Sequence, residues 1–489
     1  MTMIGKIFDT IVEKLVNFVF YLIVIVTVYV FVNVLLPKYS LLISFIISGI
    51  LIICIRKIKK NLLLVLNQII SFLNKCKIVK LVLFIVIVLI IERLLVLLLF
   101  HFPTFTIGDT SIYKSFADLI SFGTPMQSQT IYPHVFFVGL FLSVFNLFRI
   151  AYVDGMFLLF VISIIFYFIS FSKIIGQGKA FIAISLYIMM PSSIFWTFSL
   201  THEMFYFFFT SIICYLFFEI LISNKISIVK SLIIFLLLLL NLSVNPMSTI
   251  LLIALVICTL LFLKARWISK ILFIVLVCFS VILSPKFSEV LSSRILGYEV
   301  RSAPFQANLL VGSSIKSDGR LDEDLIQEVK KQIIIRKMPN TIESYKTVAW
   351  EYTLKNYSYL ITHPIDLLKL IATKFYIAWS GDHYSLEMLL NYKAYFIISP
   401  GLTNILQLAM LSISALIYLF AVLIGTFKNS EYSNNSSMKF AKTLFLGIVA
   451  ALLIVEITNK YSIHTTIFIL MIAMSKIESN YLEKKEEIT

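Results

Sequence analysis

The chain has 489 residues, 60% of them hydrophobic, with a mean hydropathy of +0.98 and a formal net charge of +15. This composition excludes an ordinary soluble domain and makes the bilayer the main solvent. Lys and Arg cluster in short gaps between apolar runs, as membrane topology requires, so the charge points to topology and not to a nucleic-acid partner. Cys54, Cys76, Cys214, Cys258 and Cys278 lie in or beside apolar runs without a CxxC pair, which supports neither a disulfide frame nor a metal knuckle.

Met1 to Asn17 is amphipathic and carries Lys6 and Lys14; roughly twenty apolar residues then run to Leu36, enough to span a bilayer. No small-residue cleavage site follows, so this run is expected to be an anchor with a cytoplasmic N-terminus. Leu41 to Ile55 is expected to return, fixed in orientation by Arg56, Lys57, Lys59 and Lys60. Asn61 to Lys77 reads as an interfacial helix, and Ile78 to Phe100 crosses outward with Glu92 and Arg93 in mid-span, expected to satisfy each other or neighbours in the bundle.

The polar stretch His101 to His134 then falls on the outer side, where the Asp109 carboxylate stays hydrated yet reaches lipid. Val135 to Phe148 is too short for a confident span and reads as an interfacial helix; Tyr152 to Phe171 goes in and Ala180 to Phe198 comes out. Thr201-His202-Glu203 is thereby a second acidic site on the outer side. Met204 to Ile222 returns, and Ser231 to Leu263 reads as two short helices broken at Asn241 to Pro246.

Ile271 to Ser284 crosses outward, and Pro285 to about Leu367 is the only long polar segment, expected to be an extracellular loop. Within it Asp324 to Lys337 and Thr341 to Leu360 have helical periodicity, and Gly312-Ser-Ser and Ser317-Asp-Gly319 are turns. Ile365 to Trp379 is an apolar helix, interfacial or re-entrant. Leu402 to Phe427, Thr443 to Ile457 and Ile463 to Met474 complete about twelve spans, with Lys428 to Lys442 and the C-terminal tail inside.

In this order the pieces resemble the GT-C superfamily of integral-membrane glycosyltransferases, nearest to bacterial relatives of protein O-mannosyltransferases and aminoarabinose transferases. The motifs are Gly108-Asp109-Thr-Ser-Ile-Tyr113 with Tyr132-Pro133; Pro191-Ser-Ser-Ile-Phe-Trp before His202-Glu203; Val311-Gly312-Ser-Ser, Asp318-Gly319, His363-Pro364 and Lys374-Phe375; and Glu456-Ile-Thr-Asn-Lys460-Tyr461. The resemblance implies an all-α polytopic fold with a module of about seven spans. Residues 1–77 would be a two-span extension, 78–284 the catalytic module, 285–380 the loop with juxtamembrane helices, and 381–489 the last spans and tail.

It further implies transfer of a sugar from a polyprenyl phosphate to a cell-envelope glycan, lipid or protein on the outer face of a bacterial plasma membrane. The anomeric centre inverts, and Asp109 serves as base. Tyr113, Tyr132, His202 and Tyr461 would line the substrate. Lys460 stands where relatives often carry Arg, and it offers a point charge without the bidentate fork. Glu203 reads equally as a second acid, as part of a site for a divalent cation, or as a helix-start residue favoured by the dipole. Adjacent on a helix, His202 and Glu203 make no metal pair alone, so a metal would need Asp109. Arg149, Arg301, Lys374 and Lys460 fall on the expected outer rim as phosphate ligands; the blander reading of each is a snorkelling side chain. A polysaccharide polymerase and a lipid or sugar transporter are the rival readings.

Overall fold

The computed structural model describes residues 3–35, 40–99, 109–122, 133–198, 200–296, 305–320, 322–339, 341–379, 400–427, 435–455 and 463–477. These form helices α1 (Met3–Leu35), α2 (Ser40–Lys75), α3 (Ile78–Leu99), α4 (Asp109–Phe122), α5 (Pro133–Leu147) and α6 (Tyr152–Ile175). Next come α7 (Gln177–Ile188), α8 (Pro191–Phe195), α9 (His202–Ser223), α10 (Ile228–Val244), α11 (Ser248–Leu261) and α12 (Trp267–Leu296). The remainder is α13 (Phe305–Gly312), α14 (Glu323–Ile335), α15 (Ile342–Thr362), α16 (Pro364–Trp379), α17 (Pro400–Gly425), α18 (Ser436–Ile454) and α19 (Ile463–Ser475). There is no strand among the described residues. Among the described residues six helices are long and apolar enough to cross a membrane, or seven if a bent pair is one span.

That pair is α7 with α8 and the 3-10 turn Trp196–Phe198, bent by 69°. Pro191 at the start of α8 has no amide hydrogen to continue α7, so the run read as one span, Ala180 to Phe198, is broken in two. The freed acceptors are covered locally: the Ser193 hydroxyl lies 3.0 Å from the Ile188 carbonyl oxygen and 2.7 Å from that of Met190. The second break is shorter than the expected Asn241 to Pro246: Asn241 to Val244 stay in α10, and Asn245-Pro246-Met247 separate it from α11.

Other boundaries move. The expected span Leu41 to Ile55 and the interfacial helix after it are one continuous helix, α2, because no Gly or Pro interrupts the basic cluster between them. Pro285 does not end α12; it lies inside, and the adjoining Ser284 and Ser288 bond Ser243 of α10 at 3.0 and 2.9 Å. The two helices are thereby held together across the proline. Lys439 and Lys442, expected in an inner loop, lie in α18 and are buried.

The main core is aliphatic with an aromatic cluster inside it. Tyr167 of α6, Tyr187 of α7 and Phe207 of α9 pack with centroid separations of 5.1 to 5.9 Å, and all three are almost wholly buried. Of α5, Val135 to Val138 and Leu142 are buried, whereas Leu147 is 78% exposed. The polar segment α13 to α15 has a small core of its own, Leu310, Val329, Ile333, Val348 and Ala349. Its helices start where capping chemistry predicts, Asp322 accepting from the Leu325 amide at 3.0 Å and Thr341 from that of Ser344 at 3.3 Å.

Candidate functional site

Helix α4 begins at Asp109, one of the residues described by backbone alone, and one turn later presents Tyr113, 1% exposed. Tyr113 Oη and His202 Nδ1 share a hydrogen bond of 3.0 Å, which ties the first acidic stretch to the second across 89 residues. His202 starts α9, and its Nε2 lies 3.3 Å from Oε1 of Glu203, itself fully buried in the first turn of that helix. The donor in this bond is set by the imidazole tautomer: with the proton on Nε2, Nδ1 accepts from the Tyr113 phenol. Glu203 also sits in the first turn of α9, the end of the helix dipole that favours an acidic side chain. Among the described residues no group of three His, Cys, Asp or Glu side chains gathers as a metal site.

A residue the sequence reading did not single out packs on α9 and on the 3-10 turn before it. His464, at the start of α19 and 6% exposed, packs on Trp196 at 4.6 Å and on Tyr206 at 4.8 Å between centroids. Its signal was available: it is a histidine in an apolar run three residues after Tyr461. Trp196, which sequence alone gives to the interfacial belt, is fully buried here. Nearby, Arg93 lies over the Phe198 ring at 4.8 Å and bonds Asp154 at 2.6 Å, so it pairs with a neighbour on α6.

The third and fourth motifs also meet. Lys374 of α16 is fully buried, and its Nζ donates to the carbonyls of Leu453 at 3.1 Å and Val455 at 2.8 Å. Tyr357 Oη donates to the Ile454 carbonyl at 3.0 Å, and burial holds this phenol above its ordinary range. A cation and a phenol therefore satisfy the orphan carbonyls at the negative end of α18. Two glycines make room for this. A Cβ on Gly312 would lie 2.4 Å from the Ile454 oxygen, and one on Gly319, whose φ is +75°, would lie 2.2 Å from Lys374 Cε. Lys374, expected on a phosphate, thus has its described bonds on a helix end.

Beside this junction a polar cavity of about 460 Å³ is lined by Ser313, Ser314, Asp322, Glu328, Asn356 and Tyr359, among others. Its wall is internally bonded, Ser314 donating to Asp322 at 2.9 Å and Asn356 to Ser313 at 3.1 Å. Arg149 is exposed in the left-handed turn (φ 54°) between α5 and α6. It adjoins Asn146 and Tyr152, which form a network with Asp118, and not the Tyr113–His202 pair. Tyr132, Arg301, Lys460 and Tyr461 lie outside the described residues, although 456–462 is the stretch that joins the Lys374 junction to His464. At about 3.5 Å per residue, Val455 and Ile463 are at most about 28 Å apart.

No protein-family model matches this chain, and no curated protein is similar to it.

Proposed function

We propose that the chain is a membrane glycosyltransferase that moves a sugar from a polyprenyl phosphate to a cell-envelope acceptor. The observation that carries this reading is the Tyr113–His202 bond, which links the Asp109 stretch to the buried Glu203. In the reaction an acceptor hydroxyl oxygen attacks the anomeric carbon, and the carbon–oxygen bond to phosphate breaks with its electron pair going to phosphate. The hydroxyl proton passes to Asp109 as base. Glu203 and His202 hold the acceptor side, and Lys460, Tyr461 and Arg301 meet the phosphate. Lys374 acts as a positioning residue, fixing the point at which the stretch holding Lys460 leaves α18.

The same reading has the polar cavity beside Ser313 receive the acceptor, since carboxylates, an amide and a phenol are groups that bond sugar hydroxyls. It also has twelve crossings, both termini in the cytoplasm and the site outside a bacterial plasma membrane. A transporter is the second reading, favoured by the broken pair α7 and α8 and by half-buried Glu92, whose Oε2 has no hydrogen-bond partner.

The test is Asp109→Asn in proteoliposomes supplied with polyprenyl-phosphate sugar and acceptor. Transfer is expected to fall about a hundredfold to ten-thousandfold, with folded yield unchanged. Near-normal transfer by the variant would remove Asp109 as base. Wild-type protein that carries donor across the bilayer without making product would establish the transporter.

A further inference from the structure

At the end of the bundle away from His202 and Lys374, the last turns of α6, α9 and α11 and the first turns of α12 and α18 enclose a second cavity of about 700 Å³. Four lysines from three stretches of the chain line it: Lys173, Lys264 with Lys270, and Lys439. Two are already paired, Lys173 with Glu219 and Lys439 with Asp9 at 2.8 Å. The other two have no carboxylate partner among the described residues. Lys270 is 8% exposed, with Nζ 3.4 Å from the Leu260 carbonyl and 5.1 Å from the Trp267 ring centroid, while Lys264 is exposed at the rim. The start of α18, capped where Asn435 accepts from the Met438 amide at 2.7 Å, adds the positive end of a helix dipole and the hydroxyls of Ser436 and Ser437.

A solvated patch would carry polar residues beyond its rim. Here the surface continues as apolar side chains on the first turns of α12, Ile268 at 74%, Leu272 at 64% and Val275 at 60% exposed. Cations at the mouth with greasy residues along the adjoining helix match a molecule with an anionic head and an acyl tail. We propose that this cavity binds the phosphate headgroup of an anionic membrane lipid, its acyl chains lying along α12. The inference does not depend on the sugar-transfer reading, because none of these residues belongs to that site.

The test is native mass spectrometry of the full-length protein titrated with phosphatidylglycerol, phosphatidylcholine or inorganic phosphate. Wild type is expected to retain phosphatidylglycerol well above phosphatidylcholine. Lys264→Gln and Lys270→Gln should each weaken retention roughly fivefold, the scale of one lysine near an anionic surface. Lys264 is exposed, so Lys264→Glu folds and should weaken it further; Lys316→Gln, in the polar segment, should leave it unchanged. Equal retention by wild type and Lys264→Glu would overturn the proposal. So would displacement of phosphatidylglycerol by inorganic phosphate at equal concentration, since the site would then bind the free ion.

Discussion

The two ends of the bundle use charge in different ways. At the His202 end Glu203 lies beside an imidazole and Lys374 on carbonyls of a helix end, with Arg93 nearby paired to Asp154. At the other end lysines are numerous and several are held by carboxylates, with Lys442 and Lys476 sharing Glu13 of α1 and Lys439 on Asp9. Helices α9 and α18, of 22 and 19 residues, connect the two. At 1.5 Å per residue they cover about 28 to 33 Å, close to the hydrocarbon thickness of a bilayer. The difference teaches that ion pairing here serves assembly, joining the first helix to the last two, whereas the sparsely charged end is arranged around small distances and missing side chains.

Three substitutions sharpen this contrast. The largest stability effect is expected at the paired end, where Glu13→Ala leaves two buried ammonium groups sharing no carboxylate. About 3 to 5 kcal/mol should be lost in thermal or denaturant unfolding, while replacing Glu13, Lys442 and Lys476 together by apolar residues should recover most of it. Gly312→Ala comes next, since its methyl would meet backbone atoms at 2.4 Å that cannot rotate away. It should cost about 1 to 3 kcal/mol and also lower transfer, by shifting the exit of α18. Smallest is Tyr113→Phe, which removes one hydrogen bond, worth about 1 kcal/mol in unfolding experiments. If Tyr113→Phe proved as damaging to stability as Glu13→Ala, the assignment of assembly to the paired end would fail.

Much of the helical layout was legible because long apolar runs and proline punctuate themselves: the Asn245-Pro246 break, the starts of α15 and α16, and the turn at Asp318-Gly319 all follow local rules. Pro191 and Pro285 show the limit. One breaks a helix and the other sits inside one, and the difference lies in tertiary partners such as Ser243, which no local window contains. Lys439 and Lys442 were expected in a loop because basic residues mark topology, yet their partners are Asp9 and Glu13, more than 400 residues away. For the site, the sequence named Tyr113, His202 and Lys374 but neither the Tyr113–His202 bond nor the carbonyls that receive Lys374. It missed His464 because a histidine in an apolar run has no periodic signature, only neighbours.

The corner between α7 and α8 bears on how the molecule moves. Turning a greasy helix through 69° strips carbonyls of their amide partners where lipid offers no replacement, so an open corner would behave as a pivot. Here one hydroxyl, that of Ser193, is shared between the Ile188 and Met190 oxygens and acts as a latch closing the angle from inside the segment itself. The Met190 oxygen also accepts from the Ser193 amide at 2.9 Å, so side chain and backbone of one residue close the corner together. The corner is therefore closed from within, and its two arms, packed on α2, α3 and α6, set Trp196 against His464 of α19.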